Sequence, residues 1–234
     1  MALSETGHLQ PELVYLANIG KNRRLNDRLA KIEAFLKRIT KPRGVLLSTV
    51  DVDSGNWTTN SSSLSGESNQ FTYNLLRAYL QSGAINQAQQ NSMNNNSFSS
   101  SETLSPQELF TLYTQRLLAN GLISHSTGGH YTFTGDLDLG SSGSLHSSNQ
   151  MLTSACNLGA MFALAGHSQV AGPASAVINA QFWQLGINLT KTCYEATAAT
   201  KTHLPPAYFI FEEKWGKDVE RPPSILVYKS SADV

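Results

Sequence analysis

Apolar residues repeat at helical spacing in the first forty residues, and this pattern predicts two amphipathic helices over residues 10–22 and 25–39. The repeating positions are Leu13, Leu16, Ala17, Leu29, Ile32, Phe35 and Leu36. A third helix is predicted to begin near Ser68. Its inward-facing apolar stripe consists of Phe71, Leu75, Leu76, Tyr79 and Leu80. Tyr73 and Arg77 are expected at the opposite edge of that helix.

The second half of the chain has clearer helix boundaries. The Ser-Pro-Gln-Glu sequence at residues 105–108 has the cap, first-turn proline and closing glutamate of a helix start. That helix is predicted to end near Gly121. An apolar segment over residues 151–166 and a longer stretch opened by Pro173 predict two more helices, the last of which stops before a Pro-Pro pair at residues 205–206.

Short segments of strand-like composition lie between the helices. Residues 45–57 and 131–139 predict two β-ribbons, and residues 207–211 predict a terminal strand. Low-complexity loops are predicted over residues 87–101 and 140–149. Helix pairs joined by polar loops and short ribbons favour a mainly α fold. We expect an α/α toroid or bundle that forms one domain over the 234 residues.

The bulk composition argues against several classes of partner. The formal net charge is zero and 15% of the residues are charged, so no basic surface is predicted for nucleic acid or for an anionic membrane. The longest apolar stretches are too short to span a bilayer. The first residues lack the basic start and apolar core of a signal peptide. Because the features described next favour a secretory compartment, the missing signal indicates that the true N-terminus lies upstream, and we expect a fragment.

Two features favour a secretory compartment. The chain has two cysteines, Cys156 and Cys193, on adjacent apolar segments. Composition leaves open whether they form a disulfide or stay as buried free thiols. The N-glycosylation sequons lie at Asn56, Asn60, Asn95 and Asn188.

Several segments match one set of family motifs in the right order. Residues 3–7 are similar to a Leu-Ser-x-x-Thr-Gly motif, and residues 44–57 to the ribbon that follows it. Residues 66–81 resemble a helix with the motif Gly-Asp-Ser-x-Tyr-Glu-Tyr-Leu-Leu-Lys. The cysteine segments resemble His-Leu-Val-Cys-Phe and Thr-Cys-Tyr, the latter continuing into Gly-Leu-x-Pro-Glu. Together these segments resemble the class I α-1,2-mannosidases, glycoside hydrolase family 47.

The resemblance carries several expectations. It implies about three helix hairpins of an (αα)7 barrel, an incomplete α/α toroid with short β-ribbons. It implies a glycosidase of N-linked high-mannose glycans in the lumen of the endoplasmic reticulum or Golgi, with a glycan or glycoprotein as partner. It also implies a disulfide between Cys156 and Cys193. The family uses calcium, but its Thr-Glu-Ala-His ligand motif does not occur in this sequence, so no cofactor is predicted for this chain.

The acids of the matched motifs are replaced. Positions with a motif acid carry Asn69, Tyr73, Leu152 and Ala207. A motif histidine becomes Thr153, and the glycine of the last motif becomes His203. Because inverting glycoside hydrolysis needs a carboxylic acid and a carboxylate, no catalytic residue is predicted here. Glu67, Asn69 and Tyr73 are the candidate substrate-binding residues.

Other residues could substitute for the lost chemistry. Asp136 and Asp138 alternate along a predicted strand, which would place both carboxylates on one face, while a solvated ribbon or turn is the simpler interpretation. For Glu67 the simpler interpretation is an acid at a helix N-terminus. The histidines lack metal-ligand spacing, so no metal site is predicted. The aromatic residues that could stack on sugar rings are Phe71, Tyr73, Tyr79 and Trp183, although helical spacing predicts most of them in the core.

The sequence therefore predicts a divergent member of the α-1,2-mannosidase family whose isolated chain is inactive. Two alternatives stay open. The first is a lectin-like binder of high-mannose glycans in glycoprotein quality control. The second is a non-functional gene fragment, which would expose the apolar helix faces of a cut barrel.

Overall fold

The structure is a computed structural model that describes residue 5 and residues 10–40, 46–65, 70–81, 106–126, 131–140, 145–211 and 225–227. Its helices are α1 (Gln10–Gly20), α2 (Arg23–Thr40), α3 (residues 70–81), α4 (Pro106–Ala119), α5 (Asn157–His167) and α6 (Ala176–Ala198). Its strands are β1 (Ser61–Ser62), β2 (Ile123–His125), β3 (Thr132–Thr134), β4 (Leu137–Leu139), β5 (Leu145–Ser147), β6 (Gln150–Leu152), β7 (Tyr208–Phe211) and β8 (Ile225–Val227). The described chain is mostly helical with short strands, as predicted.

The strands form small antiparallel sheets of order β1-β4-β5, β2-β3 and β6-β7-β8. A further ribbon is closed by one bridge between Val50 and Trp57, inside the segment predicted as a ribbon. Two predictions need correction. Strand β5 lies in the segment 140–149 that was predicted as a loop, and β6 occupies the start of the predicted helix over residues 151–166. Both are three-residue strands defined by their partners β4 and β7, which local composition does not reveal. The predicted loop at 87–101 lies outside the described residues.

Helix α3 lies inside the main apolar cluster, which runs from Leu36 to Phe211. Its stripe is confirmed where it is strongest, because Phe71, Leu75 and Leu76 are fully buried. Tyr79 and Leu80 are half-buried and pack against the same cluster. Tyr73 and Arg77, expected at the opposite edge, are both half-buried, and the Tyr73 ring also packs against the cluster. Helix α3 is enclosed on most sides, and its other buried residues are Thr72, Asn74 and Ala78.

Some apolar side chains of the outer helices face solvent. Leu16, expected on the buried face of α1, is 61% exposed, while Ala17 beside it is buried. On α6 the exposed apolar residues are Val177, Trp183, Ile187 and Tyr194. No described helix combines the length and the apolar character needed to cross a membrane.

Helices α5 and α6 pack at very short range because glycines line their contact. A Cβ added to Gly186 would lie 2.5 Å from the backbone nitrogen of Ala163. A Cβ added to Gly166 would lie 2.6 Å from the backbone nitrogen of Trp183. Substitution at either position would therefore force the two helices apart.

A disulfide reinforces this helix pair. Cys156 ends the short 3₁₀ turn Thr153–Cys156 between β6 and α5, and Cys193 lies in the last third of α6. They are bonded with a Cα–Cα distance of 5.9 Å, which is within the normal range for a disulfide. The pairing implied by the family resemblance is thus confirmed.

Removal of the disulfide should lower the free energy of unfolding by about 3–4 kcal/mol, because a cross-link across 37 residues restricts the unfolded chain. The measurement is urea denaturation of the Cys156→Ala, Cys193→Ala double variant beside the oxidised protein. The reduced wild-type chain is the matched control and should resemble the variant. Equal midpoints for all three samples would contradict the prediction.

Candidate functional site

Two of the positions at which the family resemblance predicts a lost acid, Leu152 and Ala207, lie next to each other at the junction of β6 and β7. Leu152 pairs with Tyr208 in the strand register. The backbone nitrogen of Thr153 donates a hydrogen bond to the carbonyl of Ala207 at 3.1 Å, and the Thr153 hydroxyl donates to the carbonyl of Pro206. The sequence segments that precede Cys156 and follow α6 therefore meet here.

The backbone at His203 agrees with the motif alignment. The resemblance places a family glycine at this position, and His203 has φ of 55°. That value is in the left-handed region, which glycine adopts freely and other L-residues adopt at a cost. The described loop thus keeps a glycine-type conformation although the side chain has changed.

Of the three candidate substrate-binding residues, the structure describes one, Tyr73, and no described contact joins it to the β6–β7 junction. Tyr73 packs on the apolar cluster from α3. Glu67 and Asn69 lie outside the described residues. Of the aromatic residues considered for sugar stacking, Phe71 is fully buried and Tyr79 packs against the core, whereas Trp183 is 46% exposed.

A polar cleft of about 500 Å³ opens between β1, β4 and the start of β6. We call it the serine cleft, and its lining residues are Ser48, Ser61, Ser63, Ser65, Asp136, Asp138, Ser148 and Gln150. Hydroxyl, carboxylate and amide groups thus converge on one space. Sequence reasoning anticipated that the two aspartates could share a face but missed the serines.

A local signal for the serines was nevertheless present. Ser61 and Ser63 are half-buried, whereas Ser62 and Leu64, which follow them, are buried. Ser65 is buried as well, so the alternation covers residues 61–64. Such alternation is typical of a strand with one solvated face. The Ser62 hydroxyl donates to the carbonyl of Leu46 at 2.7 Å, so this serine is satisfied in the interior.

Asp136 is the most constrained group in the serine cleft. Its Oδ1 atom accepts hydrogen bonds from the hydroxyls of Ser63 and Ser65, the second at 3.1 Å. Its backbone nitrogen donates to the Ser148 hydroxyl at 3.1 Å, and its carbonyl accepts from the Ser148 nitrogen at 2.9 Å. Asp138 pairs with Ser61 and His146 in the sheet and is exposed. One carboxylate is therefore held in place, and the other faces solvent.

The serine cleft adjoins the altered motif position on β6. Gln150 lines the cleft, and Leu152 lies two residues further along the strand. Alternate residues of a strand share a face and are about 7 Å apart. The cleft and Leu152 therefore belong to one region of the surface.

Metal-ligating groups do not converge anywhere in the described ranges. No three His, Cys, Asp or Glu side chains there are close enough to hold an ion. These residues do not offer the carboxylate-rich donor set that calcium prefers. The prediction that this chain needs no cofactor stays a prediction.

Replacement of His203 by glycine should raise the free energy of unfolding by up to about 1 kcal/mol. Glycine removes the cost of a left-handed φ in an L-residue, which is about 1–2 kcal/mol. The greater entropy of glycine in the unfolded chain offsets part of this gain. Exposed Lys201, in the same loop and without a positive φ, is the matched control. Lys201→Gly should be destabilising. Thermal denaturation of both variants measures the difference, and equal losses would contradict the interpretation.

Comparison with known proteins agrees with this framework. The chain matches Glycosyl hydrolase family 47 over residues 1–228. It is 27% identical over 213 residues to mannosyl-oligosaccharide alpha-1,2-mannosidase IA of Drosophila melanogaster, a match that covers 90% of this chain and 27% of that protein. It is 24% identical to mannosyl-oligosaccharide 1,2-alpha-mannosidase mans-2 of Caenorhabditis elegans, covering 91% of this chain and 31% of the relative. For human mannosyl-oligosaccharide 1,2-alpha-mannosidase IC the identity is 27%, over 89% of this chain and 29% of the relative. The chain thus spans less than a third of the length of each of these relatives, and it belongs to glycoside hydrolase family 47.

Proposed function

We propose that this chain belongs to the N-glycan processing machinery of the secretory pathway but does not hydrolyse mannose by itself. Its helix pairs are assigned to part of an (αα)7 toroid, in one domain over residues 1–234. Family membership supports the substrate class, a high-mannose N-glycan on a glycoprotein. The two cysteines bonded to each other are compatible with an oxidising lumen.

The observation that carries the loss of hydrolysis is the contact between the segments of Leu152 and Ala207. Both positions carry an acid in the family motifs, and both carry an aliphatic side chain here. Hydrolysis with inversion needs one group to protonate the leaving oxygen and another to activate water. Loss of one such proton shuttle typically costs about 10²–10⁴-fold in rate. Loss of both partners leaves no acid–base route at this junction.

The serine cleft is a poor substitute for the lost pair. Asp136 already accepts from two serine hydroxyls, so this oxygen is engaged by the protein. Asp138 is exposed, and the other carboxylate that lines the cleft is that of Asp136. A single solvated carboxylate does not supply an acid and a base together.

The purified chain should release no mannose from a high-mannose glycan, with or without added calcium. Chromatography of the labelled glycan after long incubation measures this, with an active α-1,2-mannosidase of the same family as the positive control. Tyr73→Glu should not restore turnover, since half of an acid–base pair contributes little. Turnover that Asp138→Asn or Glu67→Gln abolishes would overturn the proposal, because the chain would then have a rebuilt catalytic pair.

A lectin-like role is the second candidate, and the serine cleft is the observation that favours it. Its hydroxyl, carboxylate and amide groups match the alternating donors and acceptors of a sugar. Its volume of about 500 Å³ is within the range of small-molecule sites. Binding without hydrolysis would need the solvent-facing carboxylate of Asp138 as an acceptor for sugar hydroxyls.

Asp138→Ala should weaken binding of a high-mannose oligosaccharide by about ten- to a hundredfold, since a hydrogen bond to a charged group contributes about 1.5–3 kcal/mol. Isothermal titration calorimetry measures the dissociation constant. Asp53→Ala is the matched control, because Asp53 is exposed in a turn away from the cleft lining. Equal affinity of both variants and the wild type would place binding elsewhere, and no detectable binding by the wild type would reject the lectin role.

A further inference from the structure

The sequon at Asn56 lies in a short hairpin at the protein surface. Residues 49–58 form this hairpin, closed by the bridge between Val50 and Trp57. The Thr58 nitrogen donates to the Thr49 carbonyl at 3.0 Å, and the Asp51 nitrogen donates to the Asn56 carbonyl at 2.8 Å. Asn56 is therefore held by its backbone, and its side chain is exposed. The third residue of this sequon, Thr58, is also exposed, and its hydroxyl shares a hydrogen bond of 2.6 Å with the hydroxyl of Thr49.

The turn of this hairpin is fixed by a side chain other than that of Asn56. The carboxylate of Asp51 accepts from the Ser54 hydroxyl at 2.5 Å and from the backbone nitrogens of Asp53 and Ser54. These bonds, the Ser54 hydroxyl first, lower the pKa of Asp51. Gly55 supplies a φ of 70°, and a Cβ there would lie 3.0 Å from the Phe35 ring of α2. The tip is thus ordered and docked without any need for the Asn56 amide.

The sequon at Asn60 is partly buried and belongs to a β-sheet. Its third residue, Ser62, is buried, and the Ser62 hydroxyl is used in the bond to the Leu46 carbonyl. The carbonyl of Asn60 accepts from the nitrogen of Leu139 at 2.7 Å, so this segment is fixed against β4. The sequon can reach an extended enzyme-bound conformation only while this sheet is unformed.

The sequon at Asn188 is incorporated into a helix. Asn188 lies in the middle of α6, and its Oδ1 atom accepts from the amide of Gln184 at 2.9 Å. The hydroxyl of its third residue, Thr190, donates to the carbonyl of Gly186 at 2.8 Å. A sequon inside a helix can take an extended conformation only after that part of the helix unfolds.

We infer that Asn56 is the N-glycosylated residue among these three, and that Asn60 and Asn188 stay unmodified. The donor class is an oligosaccharide linked to a lipid through a diphosphate. A bond forms between the Asn56 Nδ2 atom and the first sugar carbon, the bond from that carbon to the lipid diphosphate breaks, and the amide loses one proton. The inference rests on the proposed secretory location. The attached glycan would cover the hairpin tip, where Val52 is 63% exposed.

The test is translation of the chain behind a cleavable signal peptide in a cell with a eukaryotic secretory pathway. Asn95 lies outside the described residues and is replaced by glutamine in every sample. Total lysate is treated with an endoglycosidase that removes N-glycans, and glycopeptides are identified by mass spectrometry. The expected result is one glycan on Asn56, which Asn56→Gln and Thr58→Ala each abolish.

Asn60→Gln and Asn188→Gln are the matched controls and should keep that glycan. An unmodified Asn56, or a glycan that persists in both Asn56→Gln and Thr58→Ala, would overturn the inference. Because the signal peptide delivers the chain to the lumen, this result does not depend on where the natural chain resides. The mannose-release and calorimetric assays test the proposed function separately.

Discussion

The close contact between α5 and α6 is the constraint on which the site depends. Glycines remove the side-chain volume that would separate the two helices, and the Cys156–Cys193 bond joins α6 to the turn that follows β6. Because α6 leads into the loop at His203, this bond also fixes the position at which the loop reaches β6. The loop then pairs with β6 through Thr153 and continues as β7. Motif segments about fifty residues apart in sequence are brought together in this way.

The serine cleft shows how the chain accommodates polar groups near its core. Ser62 is satisfied by the Leu46 carbonyl. Asp136 is satisfied by hydroxyls of Ser63 and Ser65, which follow β1 and lie 73 and 71 residues away in sequence. Unsatisfied buried polar groups are costly, so these bonds constrain β1 and β4 to one arrangement. The same bonds occupy the Asp136 carboxylate. A group that stabilises the sheet in this manner is less available for proton transfer.

The sequence predicted elements whose signal is local and failed where the partner is distant. Helix α3 was predicted from the buried Phe71, Leu75 and Leu76, and the ribbon at Val50 from its turn residues. Strands β5 and β6 were missed because three residues are too few to establish a period. Tyr73 was placed at the edge opposite the stripe. It is half-buried there because α3 is enclosed on most sides, which one apolar stripe does not reveal. The serine cleft needed the pairing of β1 with β4, which no local pattern contains.

Backbone conformation and side-chain chemistry can diverge separately, as we propose for this member of the family. His203 keeps a left-handed φ, so the loop path is maintained by its contacts to Thr153 and by the helix pair before it, and not by the residue type at the turn. Contacts that fix a fold are spread over many residues, whereas acid–base chemistry depends on a few carboxylates. A chain can therefore lose those carboxylates and keep the disulfide, the glycine contact and the β6–β7 pairing. Family membership consequently indicates the fold of this chain more firmly than its reaction.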